Sequence, residues 1–137
     1  MESQNRRKFI GSALLLAIGT AASGNILKKM KTKKAKQLSH HVFFWLKNPD
    51  SKDDLKKLIE GVRTLEQIES VRELHIGVPA STEKRPVVGS SFSVSELIFF
   101  DSIDGQNKYQ DHPIHQKFVE NCSHLWEKVI VYDTTEI

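Results

Sequence analysis

Two stretches of the chain, "HHVFFWLK" at 40–47 and "SFSVSELIFF" at 91–100, put apolar residues on neighbouring as well as alternate positions. Their density of β-branched and aromatic residues predicts strands. Strand side chains alternate between the two faces of a sheet, so His40, Val42, Phe44 and Leu46 share one face and Phe43 and Trp45 the other. In the second stretch Phe92, Val94, Glu96, Ile98 and Phe100 oppose Leu97 and Phe99. Such a sheet needs covering on both sides. A layer of helices can cover one face, and 137 residues leave no room for a second full domain over the other. Two copies closing their sheets face to face would bury that surface by symmetry, so a homodimer is expected.

The remaining elements follow from changes of period. Asn48-Pro49-Asp50 is turn chemistry. Beyond it Ser51 can cap a helix, Asp53 and Asp54 suit its N-terminus, and Leu55, Leu58, Ile59, Val62 and Leu65 recur at helical spacing, predicting a helix over about 51–67. "VRELHIGV", 71–78, alternates again, with Leu74, Ile76 and Val78 on one side and His75 on the other. Pro79, Pro86 and Gly89 make 79–90 a loop. Asp101 or Ser102 caps a short helix toward Tyr109, Pro113 sits where a first helical turn tolerates proline, and "WEKVIVYD" reads as the last strand. The order is β-α-β-β-α-β with the second helix broken near His112-Pro113, an α+β arrangement with helices on one face of an antiparallel sheet.

Charge divides the chain. Residues 1–36 carry nine Lys/Arg against one Glu, whereas 37–137 carry eleven against sixteen acidic residues. The basic character belongs to the leader, and an acidic folded part argues against nucleic acid as a partner. In the leader, Arg6, Arg7 and Lys8 precede an apolar run from Phe9 to about Ala22 that closes on small residues, the layout of an export signal over 1–24. The run is short for the ~20 residues of a membrane helix, so no stable span is expected after cleavage. The paired arginines are twin-arginine-like, although ordinary secretory signals also carry paired basic residues. An extracytoplasmic or periplasmic location follows. Residues 25–37 hold six lysines and no acidic partner, a solvated basic linker, leaving 38–137 as the folded domain. A single cysteine, Cys122, excludes an intrachain disulfide framework and a cysteine-rich zinc site.

Chemistry concentrates in "YQDHPIHQKF", 109–118. His115 falls in the first turn of a helix starting at Pro113, with Phe118, Val119, Cys122 and Trp126 at helical spacing from it, so it points with an apolar stripe. The positive helix end and poor solvation both favour the neutral ring, the form a general base needs. Asp133, if it reaches the other ring nitrogen, would fix the tautomer. Tyr109 could donate to a carbonyl or enolate oxygen. The competing reading is a buried histidine that merely holds the helix to the sheet. His112, before proline, reads as a helix cap, and His41, His75 and His124 as surface residues. Glu96, among apolar neighbours, should pair with a buried histidine or tilt to solvent. A rival metal site would use His112 and His115 with Asp133 or Glu96, but closed-site clusters are missing. Dinucleotide, phosphate-loop and nucleophile-elbow motifs are absent too, so neither cofactor nor metal is expected.

Three segments resemble the stress-responsive A/B barrel (Dabb) family: His40-x-Val42-Phe43-Phe44-x-Leu46-Lys47, Tyr109-x-x-His112-Pro113-x-His115, and the closing "LWEKVIVYD". The resemblance covers roughly 39–134 and implies a ferredoxin-like fold that forms a dimeric α/β barrel, with a small cavity between helices and sheet. It further implies His115 as a base and Tyr109 as its helper, as in a plant cyclase of the family that performs an aldol condensation, with His40 and Asp133 completing the set. Val42, Phe44, Glu96, Phe118 and Trp126 are expected to line the cavity. The first helix has no tyrosine and the third strand no histidine, where that plant member has one each, so its substrate is not carried over.

The expectation is therefore an exported homodimer binding a small apolar carbonyl compound, with His/Tyr acid-base chemistry of cyclase or isomerase type. Two alternatives stand beside it: a non-catalytic stress-associated binding or structural dimer, and, by analogy with similar barrels, a cofactor-free oxygenase.

Overall fold

The computed structural model describes residues 37–137; the expected export signal, 1–24, and the basic linker up to residue 36 lie outside the described residues. Four strands and three helices follow the expected order: β1 (Leu38–Leu46), α1 (Lys52–Thr64), β2 (Glu73–Gly77), β3 (Val94–Phe100), α2 (Ile103–Asp111), α3 (Pro113–Cys122) and β4 (Trp126–Thr135). The helix expected over 51–67 ends as a 3-10 turn at Leu65–Gln67, and a second such turn, Ser123–Leu125, leads into β4. Ser51 caps α1 by accepting from the Asp54 N–H, and Ser102 caps α2 by accepting from Gly105. Among the described residues no helix is long and apolar enough to cross a membrane.

All strand pairs are antiparallel, in the order β2-β3-β1-β4, an open sheet with β1 and β3 inside. The third strand begins at Val94 rather than 91: Ser93 instead donates its N–H to the Phe44 carbonyl and accepts from the Leu46 N–H, closing the end of β1. β2 stops at Gly77, leaving Val78 exposed rather than on its apolar face.

The helix-facing side of the sheet is the core. Leu38, Val42, Phe44 and Leu46 from β1 and Val94, Ile98 and Phe100 from β3 are buried against Leu58, Val62 and Leu65 of the first helical segment and Phe118 and Cys122 of α3. Each such aliphatic or aromatic side chain contributes about 1.5–3 kcal/mol on burial. The helices approach closely at Gly61, where a Cβ would lie 2.5 Å from the Cys122 sulfur and 3.2 Å from the Phe118 ring. Val119, expected in the buried stripe of α3, turns outward, because that stripe is narrower than the spacing implied.

The opposite face carries Phe43, Trp45, Leu97, Phe99 and Ile130, all half-buried. Its rings pack on one another: Phe43 lies 4.2 Å from His41 and 4.9 Å from Phe92, and Lys128 sits 4.5 Å above Trp45. His41, expected at the surface, is half-buried in this patch. No described element covers it.

Candidate functional site

Sheet register and one helix break assemble the candidate site. Pairing puts Leu74, Ile98, His40 and Asp133 in one rank across the helix-facing side and Ile76, Glu96, Val42 and Val131 in the next. His40 and Glu96 are thus diagonal neighbours on adjacent strands. Above them, His112 precedes proline and takes an extended conformation, φ −69° and ψ 137°, which ends α2 and starts α3. Its Nδ1 accepts from the Ile114 N–H, so His112 is the cap its position suggested. The break folds α3 back so that the His115 ring lies 4.6 Å from that of Tyr109.

Hydrogen bonds then define what each group can do. Tyr109 is 1% exposed and donates its hydroxyl to Glu96 Oε1 at 2.9 Å; Glu96 is also 1% exposed. Burial pushes the Glu96 carboxyl up to about 7, with the Tyr109 bond opposing the shift. Burial, then the charge of Glu96 and the bond to it, drives the Tyr109 hydroxyl far above its ordinary value. Glu96 therefore neither pairs with a histidine nor reaches solvent. A tyrosine with a buried ring and a hydroxyl able to donate supplies the partner that a carboxyl in an apolar row requires.

Asp133 serves a different histidine from the one expected. Its Oδ1 lies 2.6 Å from His40 Nδ1, across the β1–β4 pair, and not against His115. His40 is 4% exposed, whereas the Asp133 side chain is 49% exposed, so the carboxylate joins a buried ring to the surface. The His40 ring stands edge-on to Tyr109 at 5.7 Å. His115 is half-buried, and its Nδ1 is 3.1 Å from the Gln110 carbonyl oxygen. A carbonyl only accepts, so Nδ1 carries the proton, and in the neutral ring Nε2 holds the free lone pair. Desolvation lowers the His115 pKa, the Gln110 bond opposes this, and His40 adds to the lowering, so the neutral form is favoured.

The expected cavity walls are in contact with one another. Phe44, Phe118 and Trp126 meet ring to ring at 5.1–6.2 Å, and Val42 is core. Two neighbouring clefts, of about 540 and 440 Å³, open elsewhere: one between the start of β2 and α2, lined by Arg72, Asp101 and His112, the other along α1 and α3 at Ile114 and Cys122. Among the described residues no three His, Cys, Asp or Glu side chains converge as a metal set. His75 and His124 lie at the surface. The structure thus gathers His40, Asp133, Glu96, Tyr109 and His115 into one cluster.

A family model for the stress-responsive A/B barrel domain matches residues 38–136. The chain belongs to the Dabb family. No curated protein matches the sequence. Similar solved structures share the fold. A Dabb protein with a ferredoxin-like fold from Mesorhizobium loti is 21% identical, with a TM-score of 0.62 over 74% of this chain and 98% of that one. A hydroxynitrile lyase from Passiflora edulis is 20% identical, with a TM-score of 0.61 over 75% and 95%. A dimeric ferredoxin-like protein of unknown function from Thermobifida fusca is 15% identical, with a TM-score of 0.61 over 75% and 93%. The α+β, ferredoxin-like architecture is the Dabb fold, carried by one open sheet per chain.

Proposed function

We propose that this Dabb protein is an exported homodimer that binds a small, largely apolar carbonyl compound and moves a proton on it. His115 acts as the base, and Tyr109, whose O–H is held by Glu96, turns that O–H to the developing oxygen anion. The observation that carries the reading is the His115 tautomer: the Gln110 carbonyl holds Nδ1–H, desolvation favours the neutral ring, and Nε2 is left as an acceptor beside Tyr109. A positioned base of this kind contributes typically 10²–10⁴-fold to a proton transfer. Asp133, bonded to His40, holds that ring against Tyr109. The hydroxynitrile lyase shares the fold, which supports the reading that this fold can carry an enzyme's site. The unpartnered apolar sheet face and the dimeric neighbour from Thermobifida fusca support self-association, and the Arg6-Arg7-Lys8 leader supports export.

The test is turnover of small aldehydes and ketones screened by NMR, with His115→Ala compared on the first compound converted. We expect a loss of at least about 10²-fold in kcat/KM, in line with removal of a general base. Unchanged turnover sinks the role of His115. A second reading, a binding dimer without catalysis, is favoured by the tight packing of Phe44, Phe118 and Trp126 where a cavity was expected. Compounds that bind without any product would establish it.

A further inference from the structure

Glu96 is the buried charged group that the acid-base reading leaves without a task. It stands in the sheet rank between Val42 and Ile76, and its hydrogen bond is to the Tyr109 hydroxyl at 2.9 Å. The titratable groups clustered about Glu96 are Tyr109 from α2, His115 from α3, His40 from β1 and, through His40, Asp133 from β4, with the Cys122 thiol of α3 and the capping His112 on the same side of the sheet. β2 and α1 present apolar side chains, Leu74, Ile76, Leu58 and Val62. An ionised carboxylate only accepts hydrogen bonds, whereas a protonated carboxyl also donates. The single contact therefore has two directions.

We propose that Glu96 is a positioning residue for Tyr109. As a carboxylate it holds the phenolic O–H turned into the sheet; protonated from bulk water, it donates to the phenolic oxygen and releases the Tyr109 O–H toward a ligand oxygen near His115. The ligand class is a compound with a carbonyl or hydroxyl acceptor, and this part rests on the function proposed above. Burial places the carboxyl's titration near neutrality, where both directions are populated. The Tyr109 ring meets both His115, at 4.6 Å, and His40, at 5.7 Å, so the donor stands between the two histidines.

The chain has two tyrosines, Tyr109 and Tyr132, so in a full-length Tyr132→Phe chain the infrared C–O stretch of tyrosine reports Tyr109 alone. That mode separates a phenol that donates from one that accepts. We expect it to move in one step as pH falls through about 7, together with the loss of a buried carboxylate band. Glu96→Gln, which keeps an acceptor but cannot ionise, should abolish the step. Acetophenone serves as the probe ligand. Its affinity should fall about tenfold per pH unit above that midpoint, because the competent form becomes tenfold scarcer, and should be flat in Glu96→Gln and in Tyr109→Phe. A tyrosine mode constant across the neutral range overturns the proposal, as does affinity independent of pH while the mode switches. If the mode switches but the ketone binds at no pH, the two directions of the Glu96–Tyr109 bond stand and the carbonyl-ligand reading falls.

Discussion

At the residue scale Glu96 costs the protein stability in one pH window. Its ordinary value of 4.5 applies to the unfolded chain, and burial raises it to about 7 in the folded one. Between these values the native protein keeps a proton that the unfolded chain has released, so stability falls as pH rises from about 4.5 to about 7 and is level above. The shift corresponds to roughly 3 kcal/mol across the window. His115 slopes the other way: its neutral ring is favoured by the fold, so stability declines as pH drops below 6.5. Urea unfolding at about pH 5 and about pH 8 should show Glu96→Gln losing the Glu96 slope. A slope equal to that of the unaltered chain would refute this assignment.

At the element scale the sequence was legible where one period ran unbroken. β1 and β3 alternate cleanly, and buried and half-buried positions follow that alternation through both strands. Ser51, Ser102 and Pro113 marked the helix starts, and His112 its cap. The pairing of Asp133 with His40 was not legible, because it depends on the β1–β4 register, which no local pattern encodes. The Glu96–Tyr109 bond had a signal, a carboxyl in an apolar row, but the choice among partners needed the helix break. Gly61 is a further case: alanine there gains about 1 kcal/mol of helix propensity. It also drives a methyl to 2.5 Å from the Cys122 sulfur, overpacking that costs about 1–3 kcal/mol. Gly61→Ala should therefore lower the urea midpoint, and Cys122→Ala should restore part of the loss in the double variant. Additive effects would contradict the contact.

For the whole molecule the decisive feature is a sheet with one face under helices and the other bare of any described element. Phe43, Leu97, Phe99 and Ile130 give that face the apolar character of an interface core. Leu97→Glu would place a charge opposite both His41 and His75 in the sheet register, in the middle of this surface. Sedimentation at micromolar concentration should find the unaltered domain dimeric and Leu97→Glu monomeric, with the core on the other side intact. A monomer in both would remove the dimer from the account. The acidic balance of residues 37–137 gives each such domain a net negative charge, so its self-association should strengthen as salt is added.

The close approach of α1 and α3 at Gly61 also gives the molecule a native timekeeper. Its one thiol, Cys122, is buried under that contact, and burial raises its pKa, so the reactive thiolate is scarce while the helices stay together. The cleft along α1 and α3 borders Cys122, which is itself buried, so a thiol reagent gains the sulfur faster whenever the two helices part. The same cysteine that rules out a disulfide framework thus reports, without any added probe, on the parting of α1 from α3.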